Sequence, residues 1–73
     1  MTSNELKERV FRAKKRIRAC GIKQVYPLFS ALYPNTDQHK FTVVFAGQMV
    51  DEQMTEQLEQ IASTVESRQN TLT

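Results

Sequence analysis

Two apolar stripes with the same spacing constrain this chain more than any other feature. Leu6, Val10, Ala13 and Ile17 recur at i, i+4, i+7 and i+11, and Met54, Leu58, Ile61 and Val65 repeat the pattern near the other end. An α-helix turns about 100° per residue, so each set lines one narrow face that must be buried. The local punctuation agrees. Thr2 or Ser3 is placed to cap the first helix, Glu5 stands three residues after Thr2 in capping-box spacing, and Gly21 follows its end. Asp51 is a good cap for the last helix, and Glu52 suits the positive end of its dipole. The final segment, "ESRQNTLT", lacks periodicity and is expected to be a flexible, fraying tail over residues 66–73, leaving one helical domain over residues 1–65.

Between the stripes, "IKQVYPLFSALYPNT" is expected to form a shorter helix. Pro27 fits near its start, where a missing amide costs little, and Pro34 marks its end. Val25, Leu28, Phe29 and Leu32 give it an apolar side, with Tyr26 and Tyr33 at the boundary and their hydroxyls wet.

The stretch "HKFTVVFAGQMVDEQM" is the ambiguous one. As a strand, residues 36–47 would put Phe41, Val43 and Phe45 on one face and Thr42, Val44 and Ala46 on the other. No second strand candidate exists to satisfy such a backbone, so a helix over residues 36–46 is the better reading, capped by Asn35 or Thr36. On it Phe41, Val44, Phe45 and Gln48 cluster on one side. Thr36, His39, Thr42, Val43 and Ala46 face outward, with Lys40 at the flank. The expected architecture is all-α, a compact bundle of four short helices.

Length and composition exclude several roles. Seventy-three residues make one small domain, because a chain of this size buries only about 60% of its unfolded surface. A large enzymatic site and a small-molecule substrate are not expected. No apolar run approaches the roughly 20 residues that span a bilayer, and the polar start "MTSNELKERV" lacks the apolar region of a secretory signal, so the reading is cytoplasmic with no membrane partner. Cys20 and His39 are single and cannot assemble the usual four zinc ligands, so no metal or cofactor is expected. His39 as a catalytic base has neither a nucleophile nor an orienting acid at a recognisable spacing.

The net charge of +2 hides a division: residues 1–40 hold nine Lys and Arg against three Asp and Glu, and residues 41–73 hold one against five. This polarity suits a protein that turns one end to a polyanion, and equally one that pairs its own halves. Along the first helix Glu5 with Arg9 and Glu8 with Arg12 are local pairs. Lys7, Lys14, Lys15, Arg16 and Arg18 have no local partner and form either a solvated face or a binding one. Phe11 falls off the apolar stripe, beside Lys15 and Arg18. Glu52, Glu56 and Glu59 are expected to keep the last helix acidic outside.

The outer face of the third helix carries small side chains, a histidine and a valine where a merely soluble helix would carry Glu, Lys or Gln. Either another helix or a dimer partner covers it, or it meets the major groove, where small and β-branched side chains approach base edges and thymine methyls.

A short helix, a turn, a helix with "KFTVVFAG" and then "DEQMTEQLEQIA" together resemble the lambda-repressor-like helix-turn-helix family of phage repressors and Cro. Phe41 and Val44 look like the family's apolar pair, Gly47 like its loop glycine, and "QLEQIA" like its downstream helix; the likeness covers residues 22 to 65. The turn "YPNTD" departs from the family in lacking a glycine and in being a residue or two longer, and Phe29 or Ala31 stands where the family has an alanine. The resemblance implies binding of double-stranded DNA as a transcriptional regulator, without catalysis. Thr36, Gln38, His39, Thr42 and Val43 would read bases. Lys40, with Lys23 and Gln24 at the start of the second helix and Lys14, Lys15 and Arg18 of the first, would meet phosphates. A homodimer on a palindrome is implied, with Phe11 or the last helix as its surface. The rival is a helical protein-interaction module using the basic first helix and the outer face of the third.

Overall fold

The computed structural model describes residues 2–72, and among them the structure is all-helical. The first helix, α1 (Ser3–Ala19), starts at Thr2, whose hydroxyl oxygen accepts the Glu5 N–H at 3.2 Å. It stops at Gly21, which adopts φ +83° and donates its N–H to the Arg18 carbonyl at 2.9 Å. That left-handed conformation is open to glycine at little cost, and it turns the chain out of the helix.

Helix α2 (Tyr26–Leu32) has Pro27 in its first turn, where the helix needs no amide, and no side-chain cap. Residues 33–37 lead to α3 (Gln38–Phe45). The cap of α3 is Asp37, in extended conformation with its carboxylate accepting the His39 N–H at 2.7 Å. Asn35 and Thr36 do not cap it, and α3 is shorter than the expected 36–46: Thr36 belongs to the turn, where its N–H donates to the Tyr33 carbonyl at 3.2 Å. The third helix ends as a Schellman motif, with Gly47 (φ +79°) donating to the Val44 carbonyl and Gln48 to that of Val43.

Helix α4 (Glu52–Leu72) is capped by Asp51, whose Oδ1 accepts the N–H groups of Gln53 at 2.8 Å and Met54 at 3.3 Å. It continues through residues 66–72, which the sequence reads as a tail. Two of the four helices are therefore long, 17 and 21 residues, and two short.

The long helices make the main contact and run parallel. Arg9 pairs with Glu59 and Arg16 with Glu66, so both partners advance by seven residues together. The Gln69 amide donates to the Cys20 carbonyl at 2.8 Å further along the same seam. Val10, Ala13 and Ile17 of α1 face Leu58, Ile61, Ala62 and Val65 of α4 in one core. Phe29 of α2 and Phe41 of α3 complete it, their ring centroids 4.7 Å apart, and Tyr26 and Phe45 lie against Phe41 at 5.3 Å each. Burial of each such side chain stabilises by about 1.5–3 kcal/mol. Tyr33 stands at the boundary, and its hydroxyl donates to Gln60 Oε1 at 2.7 Å at an exposed position.

Candidate nucleic-acid interface

The third helix is anchored from inside. Phe41 and Val44 are buried, and Phe45, half-buried, stacks on Phe41 with an interplanar angle of 16°. Helical geometry then turns His39, Thr42 and Ala46 to the opposite side, where all three are exposed. Gln38 is exposed at the start of the helix. Val43 is half-buried and offers an edge of its side chain. The Thr42 hydroxyl donates to the Gln38 carbonyl at 2.9 Å, leaving its methyl and its acceptor lone pairs as what it offers outward. Thr36 is separated from this face. With Asn35, Asp37, Lys40, Gln53 and Gln57 it lines a cleft of about 270 Å³ between the 33–37 turn and the start of α4.

The electrostatics differ from a simple basic half and acidic half. Arg9 donates two hydrogen bonds to the Glu59 carboxylate, its Nε at 3.1 Å, and Arg16 reaches Glu66 with Nε at 3.2 Å. Both carboxyls are held below their ordinary values by these hydrogen bonds. Arg9 is thus paired with Glu59 along the seam between the helices, and the flank of α1 that carries Arg9 and Arg16 belongs to α4. The local pair Glu8–Arg12 forms at 3.9 Å. The outside of α4 is correspondingly less acidic than its sequence, with Glu52 and Glu56 exposed among Gln53, Gln60, Ser63 and Ser67.

The residues read from sequence as phosphate contacts fall into three groups. Lys40 sits 3.0 Å from Asp51 Oδ2; its hydrogen bond is the largest cause that holds the Asp51 carboxyl below its ordinary value, ahead of the capping N–H groups. Lys23 and Gln24 are exposed in the loop before α2, not in its first turn, because that helix begins at Tyr26. Lys14, Lys15 and Arg18 lie on α1 away from α4. Lys14 places its ammonium 4.9 Å from the ring centre of Phe45, and Lys15 lies 4.7 Å from that of Phe11. Lys14 therefore marks where α1 borders α3. Phe11 is 55% exposed, as is Met49, at 66%, just after the α3 turn.

Among the described residues no helix is long and apolar enough to cross a membrane, and no group of three or more His, Cys, Asp or Glu is placed to hold a metal ion. No protein-family model, curated protein or solved structure matches the chain.

Proposed function

We propose that this chain is a small DNA-binding protein of the lambda-repressor-like helix-turn-helix kind, a cytoplasmic regulator that acts without catalysis and lays α3 in the major groove of double-stranded DNA. The observation that carries this reading is the outer face of α3. His39, Thr42 and Ala46 are exposed there and Val43 is half-buried, with no Lys, Arg, Asp or Glu among them, on a helix fixed from behind by Phe41 and Val44. A groove admits a helix of this profile, and His39, Thr42, Gln38 and the edge of Val43 present hydrogen-bonding groups and methyls to base edges. The α2–turn–α3 order supports it too, with a turn of five residues in place of the family's shorter one. A chain of this size covers one half-site, so the working form on a palindrome is a homodimer.

Selection of bound duplexes from a random pool tests the reading directly. A shared motif is expected, and Thr42→Ala or Val43→Ala should change the preferred bases while leaving the salt dependence of binding as it was. Failure to retain any duplex at low salt would overturn it in favour of a protein-interaction module.

A further inference from the structure

On α1, Lys7, Phe11, Lys14 and Arg18 recur at i, i+4, i+7 and i+11, the same spacing as the buried stripe but on a different face. Arg9 and Arg16, the cations of the opposite flank, are tied to Glu59 and Glu66 of α4. The second stripe keeps its charge. Among the described residues none of Lys7, Lys14 and Arg18 makes an ion pair, and Lys7 and Arg18 are fully on the surface. Phe11 lies exposed in its middle with the Lys15 ammonium over its ring. Lys14, in van der Waals reach of Phe45, makes the stripe continuous with α3. The lysine of the third helix, Lys40, is paired with Asp51.

We infer that this stripe is a second contact surface, which tracks the sugar-phosphate backbone beside the groove that α3 enters. It rests on the DNA-binding reading and adds a division of labour to it: α1 supplies most of the affinity and α3 the sequence preference. A second copy of the chain does not fit here, because a twofold contact would set Lys7, Lys14, Lys15 and Arg18 against themselves. A polyanion with apolar sugar faces between its charges matches both components of the stripe, the cations and the ring.

The test uses the full chain and a mixed-sequence duplex of about two helical turns, with affinity followed against salt. Each phosphate contact contributes about 0.9 to the slope of log K against log salt. Lys7→Gln with Arg18→Gln, at two exposed side chains that form no ion pair among the described residues, should flatten that slope by about 1.8. Phe11→Ala should weaken binding severalfold at every salt concentration with the slope unchanged. A wild-type slope in the double variant, with the wild type binding well, overturns the inference and leaves the DNA reading standing. Absence of wild-type binding removes that reading itself. Poly-glutamate bound more tightly than duplex, and lost in the double variant, would assign the stripe to an acidic protein and likewise overturn the proposal.

Discussion

Lys40 of α3 and Asp51, the residue that caps α4, form an ion pair at 3.0 Å. Asp51 thereby does two jobs with two oxygens: Oδ1 accepts the first N–H groups of α4, and Oδ2 holds α3 by its flank. Substitutions separate the two. Asp51→Ala removes the cap and the pair and should destabilise by about 1–2 kcal/mol. Lys40→Met removes the pair alone, which is largely open to solvent, and should cost at most about 1 kcal/mol. Urea unfolding of both variants measures the difference; an equal loss in the two would mean that the cap contributes nothing.

The aromatic cluster converges on Phe41, which touches Phe29, Tyr26 and Phe45. Phe41→Ala should cost about 3–5 kcal/mol, enough to unfold a domain of this size or nearly so. Phe45→Ala, at a half-buried ring, should cost clearly less and leave the helix content intact by circular dichroism.

Gly47 sits at φ +79°, and a Cβ built there meets nothing within 4 Å. The penalty for Gly47→Ala is therefore one of backbone conformation alone, about 1–2 kcal/mol. Gly47→Asn should lose less, because asparagine tolerates the left-handed region better. A thermal melt of the two variants ranks them, and a reversed order would point to a steric cause.

Glu59 and Glu66 have carboxyls held below the ordinary 4.5 by Arg9 and Arg16, and Asp51 below the ordinary 3.8 by Lys40. In this range the unfolded chain binds more protons than the folded one. Stability is thus complete above about pH 5 and falls as pH drops through the folded values. Arg9→Met with Arg16→Met should flatten the acid limb of a stability-against-pH curve; an unchanged limb would show that these pairs play no part in it.

Much of the fold was legible from spacing alone. Val10, Ala13 and Ile17 and the set Met54, Leu58, Ile61 and Val65 are buried as their period requires. The helical state of residues 38–45 followed from the lack of any partner strand. Its start did not, because Asn35, Thr36 and Asp37 are three consecutive residues that can cap a helix. Asp37 prevails through a hydrogen bond that only the turn geometry defines. The extent of α4 was hidden for a related reason. Beyond Val65 the apolar repeat ends, and the anchors are Glu66 on Arg16 and Gln69 on the Cys20 carbonyl. Those partners lie about fifty residues away, and so does Glu59, the partner of Arg9. The outward set of α3 was readable from period, save for the half-burial of Val43 and the removal of Thr36 to the cleft. The Lys40–Asp51 pair was not, since no helical spacing joins them.

The parallel seam between α1 and α4 also bears on how the chain reaches this state. Neighbouring antiparallel helices can zip from a tight connection, but these two meet only after some fifty residues have looped back. The part of the interior between α1 and α4 forms only with that closure, so assembly should be slower than for a simple helical hairpin. A nick at residues 33–37 should leave two fragments that are each largely unstructured and regain helicity on mixing.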